Sequence, residues 1–188
     1  MRKFFIAAVM LLMMTAQVEA VPFTRTQLDS IFLNVEQNGG SATFDLNAET
    51  FKEKFNGIMI PILKEAMQTD DVSAVEYLFL IKDYKIIGNT FANMFGDYRV
   101  MVVANGAEGG NFKAMSFCFT TPEERDESLF TVLLLSAFVK SLAPDVDPEN
   151  LMNELTAEGS SGEVVKGDIK FSLTSDGNLN NLTAAPNQ

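Results

Sequence analysis

The sequence has no histidine, no tryptophan and a single cysteine, Cys118, among its 188 residues. Without histidine, the chain lacks the commonest general base near neutral pH and cannot form Ser-His-Asp or Cys-His catalytic groups. Histidine metal sites are excluded for the same reason, and one cysteine is too few for a thiolate zinc or iron–sulfur site. We therefore predict no catalytic residue, no metal and no cofactor, and the composition favours a protein that is not an enzyme.

The lone cysteine cannot form a disulfide within the chain, so stability must come from packing. Cys118 lies just before four carboxylates, which suggests a reactive thiol beside an acidic cluster. Nearby carboxylates, however, raise the pKa of a thiol, and no histidine is present to activate it. We expect a buried, inert thiol on a strand, followed by the start of a helix. The four acids are Glu123, Glu124, Asp126 and Glu127.

Basic residues are also scarce: 14 lysines and arginines face 25 acidic residues, for a net charge of −11. This charge opposes binding to nucleic acids and to anionic lipid surfaces. Its simplest role is to keep the protein soluble, while a basic partner or a divalent cation stays open. A calcium loop is not indicated, because the alternating acids from Asp145 are followed by Asn150 and Thr156, where an EF-hand needs glycine and glutamate.

The first twenty residues have the pattern of a secretory signal peptide. Arg2 and Lys3 precede an apolar run from Phe4 to Met14, and the stretch Val18-Glu19-Ala20 has small residues at the two positions that a signal peptidase reads. The run of eleven apolar residues is shorter than the about 20 that cross a bilayer. We expect cleavage after Ala20 and export to a periplasmic or extracellular location, with no stable membrane anchor in the mature chain.

Four helices are predicted in the rest of the chain. An apolar stripe at i, i+3, i+4 and i+7 predicts an amphipathic helix over 24–37, and Asn47 begins a second helix that Pro61 should kink or break. The nearly all-apolar stretch from Leu129 to Val139 predicts a buried helix ending near Leu142, which we expect to begin at Thr121 as cap. Asp147 and a following proline mark one more helix start.

Between and after these helices, the chain is rich in β-branched and aromatic residues. We predict strands near 76–82, 84–94, 97–104 and 111–119, the first of which could instead be helical. The stretch 105–110 joins the last two strands as a hairpin loop, and it lacks the ending of a phosphate-binding loop. A second hairpin is predicted at the C-terminus, with its turn at Asp176-Gly177.

The order of elements predicts one α+β domain over 21–184, with an antiparallel β-sheet, helices packed on one face, possibly two helix-plus-strands halves, and a loose tail at 185–188. The stretches "SLAPDVDPENLMNEL" and "GDIKFSLTSDGNL" in the last third of the chain resemble small uncharacterised exported bacterial α+β proteins. That resemblance implies no function.

Three functions compete. The first is a non-enzymatic binding or interaction module for a protein partner or a small apolar ligand, although the sequence identifies no ligand-binding residues. The second is a carboxylate-dependent hydrolase, which needs two acids in one cleft. The third is a structural envelope component with an exposed strand edge. A ligand cavity would be lined by phenylalanines on strands facing the helices, namely Phe91, Phe95, Phe112, Phe117 and Phe119.

Overall fold

A computed structural model describes residues 23–96, 99–107 and 110–187, so the predicted signal peptide lies outside the described residues. Five helices are present in this part of the chain: α1 (Arg25–Gln37), α2 (Ala48–Met67), α3 (Glu76–Phe79), α4 (Arg125–Leu142) and α5 (Pro148–Thr156). Seven strands accompany them: β1 (Lys85–Ile87), β2 (Thr90–Phe95), β3 (Val100–Gly106), β4 (Phe112–Thr120), β5 (Glu163–Lys166), β6 (Ile169–Asp176) and β7 (Leu179–Pro186).

All seven strands form one antiparallel sheet in the order β1-β2-β3-β4-β7-β6-β5. The predicted α+β domain with an antiparallel sheet is therefore confirmed. The last strands of the two meanders, β4 and β7, pair at the centre of the sheet. Each meander follows helices, α2 and α3 before β1–β4 and α4 and α5 before β5–β7, which is the order expected of two helix-plus-strands halves.

The larger core lies between one face of the sheet and helices α2, α4 and α5. Phenylalanines dominate it, and their rings contact one another across the layers: the centroids of Phe51 and Phe91 are 5.9 Å apart, and those of Phe117 and Phe138 are 5.7 Å apart. Burying such a side chain contributes about 1.5–3 kcal/mol to folding. This core accounts for the aromatic content of the sequence.

Helix α1 covers the opposite face of the sheet, against β3, β4 and β7. The domain therefore has helices on both faces, whereas the sequence predicted them on one. The stripe that predicted this helix is real: Ile31 and Val35 are buried, and Leu28 and Phe32 pack partly against the sheet. Helical period shows that a helix has an apolar face but not which surface that face meets, so the extra layer could not be predicted.

Two predicted strands have a different form. The stretch 84–94 is a hairpin, because Gly88 adopts a positive φ of 61° and forms a tight turn with Asn89 between β1 and β2. The ambiguous stretch 76–82 contains the short helix α3, as the alternative allowed. The hairpins β3–β4 and β6–β7 are confirmed, and β7 continues to Pro186, two residues beyond the predicted end of the ordered domain.

Two expectations differ from the structure: Pro61 does not break its helix, and Thr121 does not cap one. Helix α2 continues through Pro61, where the lost hydrogen bond would join the proline nitrogen to the carbonyl of Gly57. Both residues are exposed, so water can solvate that carbonyl. Helix α4 begins after Glu124 rather than at Thr121, because the Thr121 N–H donates to the carbonyl of Asn178 at 2.7 Å and holds this residue to the β6–β7 turn.

Candidate functional site at the β1 edge

An open cleft of about 560 Å³ lies where the β1–β2 turn, the start of α2 and the β3–β4 loop meet. Its lining combines apolar side chains, amides, one carboxylate and three glycines. The lining residues are Asn47, Ala48, Glu49, Ile86, Gly88, Asn89, Phe91, Gly106, Ala107, Gly110 and Phe112. Phe91 and Phe112 belong to this lining although they are 0% and 2% exposed, so they offer the cleft little accessible surface.

Local hydrogen bonds fix the three walls. The Asn47 side chain accepts from the backbone N–H groups of Glu49 and Thr50, each at 3.1 Å, and so caps α2 as the sequence predicted. On the facing wall, the Gly106 N–H donates to the carbonyl of Asn89 at 2.7 Å. A side chain at Gly106 would place its Cβ 3.0 Å from that carbonyl oxygen, so this close approach favours glycine and any larger residue would displace the turn slightly.

A polar pair stands beside the cleft. The Tyr84 hydroxyl donates to the carboxylate of Glu49, and this hydrogen bond raises the pKa of Tyr84 above its usual value of about 10. The Tyr84 ring lies against Phe91, with centroids 5.0 Å apart. The Lys52 ammonium group lies over the Tyr84 ring, 5.8 Å from its centroid, and donates to the carbonyl of Lys82. These contacts hold the Glu49 carboxylate at the rim.

The neighbouring strand, β1, is the edge of the sheet. Within residues 23–96, 99–107 and 110–187, no strand pairs with its outer side. Its two isoleucines are the most unusual feature, because Ile86 is 55% exposed and Ile87 is 64% exposed. Successive strand side chains point to opposite faces, so Ile86 lines the cleft and Ile87 lies on the other face. Backbone donors and acceptors along this edge are open to a further strand.

The phenylalanines predicted to line a ligand cavity belong to the core, and only Phe91 and Phe112 among them also border the cleft. Phe91, Phe95, Phe112 and Phe117 are at most 2% exposed, and Phe119 is partly buried against the same core. Strict alternation along β4 would put the Phe112 side chain on the same face as Cys118. It joins the opposite, core-facing side because a bulge at Lys113 shifts the register of the strand. The space between sheet and helices at these residues is thus occupied by side chains.

Cys118 is fully buried beneath α1, and burial raises the pKa of its thiol far above the usual range. It lies in a different layer from the acids that follow it in sequence. Glu127 pairs with Arg99 and accepts the Glu123 N–H at 2.9 Å, so it anchors the start of α4. The suspected thiol–acid cluster does not assemble.

The carboxylates are dispersed over the surface. Every aspartate and glutamate in the described ranges is exposed or half-buried, and Glu49 alone among them lines the cleft. Those ranges also hold no group of three metal-ligating side chains. Asp147 caps α5 by accepting the Asn150 N–H at 2.9 Å, which accounts for the acidic run near Pro148. This geometry gives a carboxylate hydrolase no support.

Asn181-Leu182-Thr183 matches the acceptor sequence for N-glycosylation, but Asn181 is only 4% exposed on strand β7 and is unsuitable as a site in the folded protein. By contrast, the glycine-rich loop after Asn105, interpreted from sequence as a hairpin tip, contributes Gly106, Ala107 and Gly110 to the cleft. The signal for this site was present in the Gly88-Asn89 turn, which marks β1 as a separate short strand. Which strand lies at the edge depends on the sheet order, which no local pattern specifies.

No protein-family model, curated protein or solved structure matches the chain. None of the helices in the described ranges combines the length and apolar character needed to span a bilayer.

Proposed function

We propose that the protein is an exported, non-enzymatic binding module that takes up an extended segment of a partner protein at the β1 edge. The observation that carries this proposal is the coincidence of an open strand edge, two exposed isoleucines and an adjoining cleft. An added strand would gain backbone hydrogen bonds from the edge, and its alternate side chains would select the sequence through the cleft.

The chemistry of the partner follows from the lining and the charge. A side chain entering the cleft meets an apolar lining in which Ile86 is the exposed residue, so it should be apolar. The remaining side chains of the segment should include lysine or arginine, because the protein carries a net charge of −11 and Glu49 stands at the rim. The proposed partner segment thus alternates apolar and basic residues.

Selection from random 12-residue peptides displayed on phage tests this proposal directly. We expect enriched peptides to alternate apolar with basic residues, and to shift the amide resonances of residues 85–91 and 105–112 in the labelled protein. Ala107→Phe, which should fill the cleft, is expected to weaken binding at least about tenfold, or about 1.4 kcal/mol. Failure to enrich any peptide, or shifts centred on the other edge strand, β5, would refute the proposal.

A structural component that assembles with itself through β1 is the competing outcome. Light scattering separates the two functions, because self-pairing through one edge predicts a dimer in solution. A monomer that binds the selected peptides agrees with the proposal. A stable dimer that does not bind those peptides contradicts it.

Export is tested separately, because the pattern before Val21 carries it and the fold does not. Expression of the full sequence in a bacterium with a secretory pathway should yield a chain that begins at Val21, as measured by intact mass. A protein that stays in the cytoplasm with Met1 or Arg2 at its start would contradict export and leave the proposed binding site unaffected.

A further inference from the structure

The layer formed by α1 differs from the other helical layer in how firmly it is held. Helix α1 buries only Ile31 and Val35 completely, whereas α2 buries five side chains and α4 buries eight. The α1 layer also forms a separate, smaller cluster on its own face of the sheet. Because burial of apolar side chains is the main favourable term in folding, this layer contributes the smaller part of the stability.

The sheet surface beneath α1 is partly polar. Ser116 and Thr183 are buried there, with their hydroxyl oxygens 2.8 Å apart, and Thr183 donates to the Asn34 side chain of α1 at 3.2 Å. Asn181 is buried on the same surface, and its Oδ1 has no hydrogen-bond partner among the described residues. A buried polar oxygen without a partner destabilises the docked state, and this penalty disappears when α1 leaves and water can donate a hydrogen bond to the oxygen.

The chain beyond α1 is anchored independently. Between α1 and α2, the Phe44 N–H donates to the Phe112 carbonyl, and the Phe112 N–H donates to the Leu46 carbonyl, each at 2.8 Å. These bonds hold residues 44–46 to β4, so departure of the helix need not disturb α2 or the larger core. The Gly39-Gly40 pair lies between the helix and this anchor.

We propose that α1 is a detachable cover, which leaves the sheet in a local opening while the sheet and the α2–α4 layer stay folded. The opening uncovers the face formed by β3, β4 and β7, including Cys118. Segments that open independently are those with few buried apolar contacts, and α1 has the fewest of the three long helices. This proposal is independent of the binding function at β1.

Cys118 provides a built-in reporter, because it is the chain's only cysteine and lies fully buried beneath α1. The probe is DTNB: the Cys118 thiolate attacks its disulfide, forms a mixed disulfide and releases one coloured thionitrobenzoate anion. Under native conditions, the labelling rate reports the fraction of molecules in which the thiol is exposed. We expect that fraction to exceed the globally unfolded fraction, measured by urea denaturation, by at least about tenfold, and to depend weakly on urea.

A matched pair of variants separates local from global opening. Ile31 beneath α1 and Ile81 in the larger core are both fully buried. Ile31→Ala should raise the labelling rate at least about tenfold through loss of packing, whereas Ile81→Ala should leave it within about twofold. If each variant instead accelerates labelling by the factor by which it raises the unfolding equilibrium constant, Cys118 is exposed only by global unfolding and the proposal is wrong.

A milder pair serves if either truncation prevents folding. Thr24 caps α1 by accepting the Gln27 N–H, and Asp147 caps α5 on the other face of the sheet. Thr24→Ala should accelerate labelling about fivefold, and Asp147→Ala should leave it unchanged, because loss of a cap acts on its own helix. Equal effects of the two variants would overturn the proposal.

Discussion

The contact between Gly106 and the β1–β2 turn predicts that Gly106→Ala destabilises the protein, whereas the same substitution at Gly57 should stabilise it. Gly106→Ala places a Cβ 3.0 Å from the Asn89 carbonyl oxygen, which also accepts the Gly106 N–H at 2.7 Å. The turn must move away, and the hydrogen bond weakens or breaks, at a net cost of about 1 kcal/mol. Replacing glycine also lowers the conformational entropy of the unfolded chain, which raises the free energy of unfolding by about 0.4–1 kcal/mol wherever the folded conformation tolerates a side chain.

The steric displacement adds to the lost hydrogen bond, so we expect Gly106→Ala to lower the free energy of unfolding by about 1 kcal/mol. Gly57→Ala is the control, because Gly57 lies within α2 and a Cβ there would meet nothing within 4 Å. It should raise the free energy of unfolding by about 0.5–1 kcal/mol, since alanine favours the helix.

Urea denaturation followed by far-UV circular dichroism measures both changes, since the chain has no tryptophan for a fluorescence assay. The midpoints should move in opposite directions with unchanged slopes. Amide shifts in Gly106→Ala should be largest in residues 86–90. If both variants stabilise the protein equally, the wall of the cleft does not depend on this close approach, and the account of its geometry is wrong.

Three further predictions concern single side chains. Glu127→Ala should lower the free energy of unfolding by about 1–3 kcal/mol, because it removes the half-buried partner of Arg99 and the acceptor of the Glu123 N–H. The control Glu163→Ala loses only an exposed pair with Lys170 and should cost less than about 0.5 kcal/mol. Equal costs for the two variants would contradict the assigned roles. The Tyr84 pKa is raised in the folded state, so its hydrogen bond contributes to stability below about pH 10 and ceases to do so as pH rises through that pKa. Glu49→Gln should therefore move the ultraviolet titration of Tyr84 to lower pH. An unchanged titration curve would refute the contact. Cys118→Ser should leave peptide binding at β1 unchanged, because the thiol lies on the far side of the sheet from the cleft, and a folded variant that cannot bind would contradict this.

Much of the fold was predictable because its signals are local. The caps at Asn47 and Asp147, the apolar stripe of α1 and the apolar run of α4 predicted helices at the right places, since each signal depends on residues within a few positions. The break allowed for at Pro61 does not occur, because its effect depends on whether the carbonyl it leaves unbonded faces solvent. Thr121 was misjudged because its partner, Asn178, is distant in sequence.

Apart from the Gly88-Asn89 turn signal, the candidate site could not be predicted from the sequence, for a related reason. The isoleucines at 86 and 87 look like part of one long strand, and only the positive φ of Gly88 divides it. The bulge at Lys113, which turns Phe112 toward the larger core and the cleft, leaves no mark in the alternation of residues. Sheet order alone places β1 at an edge, and sheet order is a property of the whole chain.

The two edge strands offer the most direct test of the proposed function. Ile86 on β1 and Val165 on β5 are similarly exposed, at 55% and 49%, so lysine at either position adds the same charge to an edge of the same sheet. Lysine on an edge strand opposes the addition of another strand. The measurement is the dissociation constant of a selected peptide for the Ile86→Lys and Val165→Lys variants. The proposal predicts binding at least about tenfold weaker for Ile86→Lys and nearly unchanged for Val165→Lys, and equal affinities for the two variants would contradict it.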